Sequence, residues 1–204
     1  MNLYGRLRYR VGQALQVVWS PVGPDDVAEA EHWLPPAAVA LWQRQSPRDQ
    51  AHALRVLHTL QAAGYTHPDL MAAALLHDVG KVEAGLRLWH RTLWVLANAL
   101  CPSLARWLTC RTGWRYPFWV LAEHPCLGAR LAREVGCTEG TAWLIAHHQD
   151  YTPCGEVYLR KGGGEGHVAP EPPRQRPGLS GRPSGGEGEN ERLLAALRAA
   201  DDAS

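Results

Sequence analysis

Residues 66–81 read Thr66-His67-Pro68-Asp69-Leu70-Met71-Ala72-Ala73-Ala74-Leu75-Leu76-His77-Asp78-Val79-Gly80-Lys81. Thr66, Pro68 and Asp69 have the character of a helix start, and the seven residues from Leu70 to Leu76 follow without a polar side chain. A helix with no polar face must be enclosed by protein. The stretch is therefore predicted to be the central helix of the core, running to Gly80. Its end carries His77 and Asp78. Either that end emerges into water with Gly80 as a simple cap, or both groups are buried and Asp78 needs a partner, because an unpaired buried carboxylate is costly. With no arginine nearby in sequence, a divalent cation is the natural compensation.

Outward from this stretch, residues 25–150 carry apolar residues at intervals of three and four, broken by Pro and Gly. An all-α helical bundle is the expected fold. Ser46 and Pro47 mark the start of the preceding helix and Gly64 its stop. Residues 160–190 contain nine Gly and five Pro with almost no large apolar side chain, and such a segment buries too little surface to offset ordering. The chain thus divides into a basic N-terminal segment (1–24), a helical domain (25–158), a disordered Gly/Pro-rich insertion (159–189) and a C-terminal helix (190–204). In that last helix Asn190 is a candidate cap, and the stripe of Leu193, Leu194 and Leu197 returns it to the core.

The 204 residues include 21 Lys plus Arg against 20 acids, a formal charge of +1. That balance gives no wholesale basic surface and no dedicated nucleic-acid module. Five cysteines without a CxxC pair argue against a disulfide framework and a zinc ribbon. The N-terminal segment lacks a signal-peptide pattern. No uncharged run reaches the roughly 20 residues of a spanning helix, so a cytoplasmic protein is expected, peripheral to the membrane at most.

Ten histidines are the next feature. On the helix from Pro47, His52 lies beside Val56 and Ala63 at the edge of the apolar face, whereas His58 points to solvent. Asp201 follows Leu197 by four residues and so falls on the buried stripe, with Asp202 about 100° off it. His124 before Pro125, and the pair His147 and His148, fall where helices meet. Histidines and acids on separate helices of one bundle can converge on a metal.

Taken in order, His52, the run AALLHDVGK with His77, Asp78 and Lys81, EHPCLGARLA with His124, IAHHQD with His147 and His148, and RAADDAS with Asp201 resemble the HD superfamily of metal-dependent phosphohydrolases. The likeness covers residues 46–150 and 190–204. It implies an all-α HD-domain bundle in which His52, His77, Asp78 and Asp201 bind one metal, and in which histidines placed like His124 and His147 or His148 complete a site for a second. The Gly-Tyr-Pro signature of the cyclic-dinucleotide phosphodiesterase branch is absent after His148. The HP..GA and HH elements are similar to the branch that cleaves dinucleoside polyphosphates symmetrically, except that His148 and Gln149 stand where Thr-Gly is expected.

The chemistry such ligands permit is hydrolysis. A bound divalent ion lowers the pKa of its water towards neutrality, and a pair of ions about 3.5–4 Å apart clamps both oxygens of a displacement at phosphorus. Mixed His and carboxylate ligands suit Mn, Fe, Zn, Ni or Mg, as one or two ions. The resemblance implies that Asp78 both holds metal and orients the attacking water. Lys81 either contacts a substrate phosphate oxygen or is simply solvated past a helix end. The expected substrate is a nucleotide or a small phosphorylated metabolite; the competing reading is a non-catalytic HD-fold regulatory or interaction module.

Between Glu83 and Glu123 there is no acid, while Arg87, Arg91, Arg106, Arg111 and Arg115 alternate with Trp89, Trp94, Trp107, Trp114 and Trp119. Leu86, Trp89, Leu93, Leu96 and Leu100 are predicted to share the apolar face of an amphipathic helix. For residues 86–119 three readings stand: a helical hairpin packed on the core, adhesion to an anionic membrane surface, or a basic wall for a polyanion.

Overall fold

In the computed structural model the described residues are 22–149 and 187–204. The expectations for residues 1–21, for 150–158 at the end of the helical domain and for 159–186 of the insertion lie outside them. Among the described residues the chain is all-α, with nine α-helices, two 3₁₀ turns and no strand. The helices are α1 (Pro24–Trp33), α2 (Pro36–Gln43), α3 (Pro47–Ala62), α4 (Pro68–Leu76), α5 (Leu88–Leu100), α6 (Pro102–Leu108), α7 (Tyr116–Glu134), α8 (Glu139–His147) and α9 (Glu187–Ala203), with 3₁₀ turns at Val79–Ala84 and Gly113–Arg115.

The central-helix expectation holds. Leu70 to Leu76 are all buried, none more than 6% exposed, and α4 is flanked by α3, α8 and α9. The helix ends sooner than expected, at Leu76 rather than Gly80, because the chain tightens into the 3₁₀ turn from Val79. Its N-terminus differs too. The N-cap is His67 without a side-chain bond, and Asp69 instead accepts from Thr138 at 2.5 Å and Thr141 at 3.2 Å, tying α4 to the start of α8. Helix α3 begins and ends as read from sequence. Ser46 accepts from the Asp49 amide, and past Ala62 the amides of Gly64 and Tyr65 return to the carbonyls of Gln61 and Leu60. That closure requires a left-handed residue, and Gly64 supplies it with φ 85°.

The C-terminal helix does return to the core: Leu193, Leu194, Leu197 and Ala200 are buried against it. Asn190 lies inside α9, three residues past its start at Glu187, rather than capping it. Arg198 fastens α9 to the end of α8, donating from one terminal guanidinium nitrogen to the carbonyls of His147 at 2.7 Å and Gln149 at 3.2 Å. Asp201 is thereby placed one helical turn further on, over the middle of the bundle.

Helices α5 and α6 close a second, smaller cluster of Ala97, Ala105, Leu108, Phe118 and Leu121 against α7. The inward face of α5 is His90, Leu93, Trp94 and Ala97, so the helix is rotated from the face expected; Trp89, Leu96 and Leu100 are exposed. Cys101, Cys110 and Cys137 are free thiols. Cys126 on α7 is disulfide-bonded, a crosslink that the scattered cysteine spacing did not signal.

Candidate metal centre

Four segments meet at the end of α4. His77 is the C-cap of α4 and Asp78 opens the 3₁₀ turn. Both are buried, at 0% and 5% exposure, so the buried alternative is the one realised. The turn passes α7 at backbone contact: a Cβ on Gly80 would stand 2.1 Å from the His124 carbonyl oxygen and 2.7 Å from the Gly128 amide nitrogen. Only glycine allows this approach. It seats Asp78 Oδ1 at 3.3 Å from His124 Nε2, with His148 Nε2 at 4.0 Å.

On the other side of His77, α3 brings His52 and α9 brings Asp201. His52 Nε2 lies 2.8 Å and His77 Nε2 3.6 Å from Asp201 Oδ1. His77 Nε2 is also 3.7 Å from Asp78 Oδ2, which joins the two halves. The result is two adjacent triads, His52 with His77 and Asp201, and Asp78 with His124 and His148, the ligand atoms within each lying within 4.8 Å of one another. Asp202, off the stripe, is exposed, and His58 pairs with Glu29 at 2.7 Å on the surface.

The rings are aimed by one repeated device. His77 Nδ1 donates to the Ala74 carbonyl at 2.9 Å, His124 Nδ1 to Leu121 at 2.9 Å and His148 Nδ1 to Ile145 at 2.7 Å. Each acceptor lies three residues back on the histidine's own helix and lacks its ordinary helical amide. For Ala74 and Ile145 the helix ends; for Leu121 the partner would be the amide of residue 125, and Pro125 has none. From sequence, His124 before Pro125 is expected where helices meet. It sits instead inside the 19-residue helix α7, where the proline frees the carbonyl that orients it. With Nδ1 protonated, Nε2 of all three rings presents a lone pair inward, and none of the three has a hydrogen-bond partner. Three buried, unpartnered imidazole nitrogens facing two carboxylates are what a cation would satisfy.

Electrostatics agree. Burial pushes the Asp78 carboxyl up, but Lys81, His77 and His124 outweigh it and hold it well below the carboxylate range. Burial, with the Lys81 ammonium nearby, lowers His124. Burial and the neighbouring His77 and His124 push His148 down to about 3, so it is neutral at ordinary pH. For Asp201, burial is outweighed chiefly by its bond to His52, and its carboxyl is lowered. Neutral imidazole and ionised carboxylate are the forms that ligate metals.

Two expected residues stand differently. Lys81 is neither solvated nor free: its ammonium donates to Asp78 Oδ2 at 2.5 Å, giving Asp78 a partner that the sequence reading assigned to metal alone. His147 is outside both triads. Its ring stacks on Trp143 at 4.5 Å, and Nδ1 donates to the Trp143 carbonyl at 2.8 Å, because one helical step turns it about 100° from His148.

A pair that no motif announced lies beside the site. Arg91 on α5 donates from both terminal nitrogens to Asp49 on α3, at 2.7 and 2.6 Å. Burial raises the Asp49 carboxyl, but the bonds and charge of Arg91 outweigh it and the net shift is downward; the charge of Asp78 is also felt there. The partners are 42 residues apart in sequence. The only signal available was an Asp in the first turn of an amphipathic helix, where solvation or dipole pairing is the ordinary outcome.

Comparisons with protein-family models, with curated proteins and with solved structures found no match.

Proposed function

We propose that this chain is an HD-type metal-dependent phosphohydrolase acting on a phosphate ester or anhydride of a nucleotide or small phosphorylated metabolite. The observation that carries the proposal is the set of three buried Nε2 atoms, on His77, His124 and His148, left without partners and facing Asp78 and Asp201. In this reading His52, His77 and Asp201 hold one divalent ion, and Asp78, His124 and His148 hold or share a second. Such ions supply a water of lowered pKa and positive charge for phosphate oxygens. Asp78, kept ionised by Lys81, orients the water through a carboxylate oxygen. Lys81 stays within reach of a phosphate that displaces it from Asp78. Mixed imidazole and carboxylate donors fit Mn, Fe, Zn, Ni or Mg.

The test is elemental analysis of the purified chain, followed by a panel of nucleotides and phosphomonoesters with each metal added. The expected outcome is bound metal and turnover of at least one substrate, both lost in His77→Ala and Asp78→Ala. Metal held without turnover of any substrate would replace the enzyme by a metal-binding regulatory module. Absence of metal binding would remove both readings.

A further inference from the structure

Eight large apolar side chains are exposed among the described residues, and seven of them lie between positions 89 and 114: Trp89, Val95, Leu96, Leu100, Leu104, Trp107 and Trp114. Leu96 and Leu100 occupy one face of the last turns of α5, and Leu104 follows across the tight turn into α6. Leu100 is 79% exposed, Val95 64% and Trp114 61%. The tryptophans form one rim: Trp107 lies 5.9 Å from Trp114, and both Trp114, at 6.2 Å, and Trp89, at 5.9 Å, rest on Phe118. Clustered exposure of this kind marks an interaction surface.

Charge selects the partner. The segment carries no acid from residue 84 to 122, and its exposed charges are Arg87, Arg106 and Arg111, with Arg115 half-buried over the Trp107 ring. Two copies of such a face would set like charges together. Nucleic acid would use the arginines and indoles but has nothing for Val95, Leu96, Leu100 and Leu104. An anionic bilayer surface takes all three: aliphatic tips in the acyl boundary, indoles at the headgroup level, guanidinium groups on lipid phosphates. No helix among the described residues is long and apolar enough to cross a membrane.

We infer that the α5–α6 hairpin docks this protein on anionic membranes through Leu96, Leu100, Leu104 and the Trp107–Trp114 rim. This inference is independent of the proposed hydrolase activity. The test is co-sedimentation of the full chain with vesicles of phosphatidylcholine alone and of phosphatidylcholine with phosphatidylglycerol at two parts to one. Binding is expected to the anionic vesicles, weaker in about 1 M salt, where charge screening is nearly complete. The double variant Leu96→Glu, Leu100→Glu alters only exposed positions; it is expected to bind at least about tenfold more weakly at unchanged helicity and metal content. His77→Ala should bind lipid as well as the parent chain, which separates failure here from failure of the metal site. The inference is overturned if the chain stays in the supernatant with both vesicle types, if the leucine variant binds undiminished, or if the variant instead dissolves a dimer. Retention by RNA rather than by lipid would overturn it equally.

Discussion

Replacing Gly80 by alanine should break the candidate metal site from a distance of one methyl group. The new Cβ would meet the His124 carbonyl oxygen at 2.1 Å, the Gly128 amide nitrogen at 2.7 Å and the His124 carbonyl carbon at 2.9 Å, where ordinary contact begins at 3.4 Å. More than 1 Å must open between the turn and α7, and the obstacle on both sides is backbone. Overpacking costs about 1–3 kcal/mol, and with no side chain able to yield the upper value, about 3, applies here. Gly→Ala also removes unfolded-state freedom worth up to about 1 kcal/mol in the other direction, leaving a net loss of about 2 kcal/mol. The same displacement moves Asp78 Oδ1 from 3.3 Å to more than 4 Å from His124 Nε2, out of shared coordination. Urea denaturation followed by circular dichroism reads the first effect, and metal titration calorimetry the second. Gly64→Ala is the control: with φ 85° and nothing within 4 Å of its Cβ, it should cost about 1 kcal/mol of backbone strain and leave metal affinity intact. If Gly80→Ala stays within about 0.5 kcal/mol of the parent and binds metal equally well, the claim that backbone contact sets the Asp78–His124 geometry is wrong.

Arg91→Met should cost about 3 kcal/mol in the same denaturation assay, because it strands Asp49, 7% exposed, without its cation; Arg91→Met combined with Asp49→Leu should recover most of the loss. For pH, Asp49 is lowered in the folded state, so its pairing stabilises the protein above the ordinary carboxylate pKa of 3.8 and is lost as pH falls through the lower folded value. Acid unfolding should therefore lose part of its dependence below about pH 4 in Asp49→Asn, Arg91→Met. His148→Ala should weaken metal binding at least about tenfold whereas His147→Ala leaves it nearly unchanged, measured by competition with a chromogenic chelator. Equal losses in the two would return His147 to the site. On the proposed metal site, chelation of metal-loaded protein should lower its melting temperature reversibly, because the stability lost is the binding free energy removed.

Much of this organisation is legible in the chain itself. The unbroken run Leu70–Leu76 makes α4 central, since an all-apolar helix has nowhere else to go, and Ser46, Pro47 and Gly64 set the limits of α3 through local backbone chemistry. His52 and Asp201 follow from the apolar stripes they sit on, because on α3 and α9 the periodic apolar face is the one that packs inward, whereas α5 turns His90, Leu93, Trp94 and Ala97 inward in place of the face its periodicity predicts. Tertiary structure decided what periodicity cannot reach. The choice of His148 over His147 rests on how α8 lies over α4, and the partnership of Arg91 with Asp49 on two helices meeting across 42 residues. Lys81 turned onto Asp78 because the 3₁₀ turn folds it back, and Pro125 became an orienting device because α7 runs on through it. Sequence pattern fixes a side chain's azimuth on its own helix; which two azimuths face each other is set only when the helices pack.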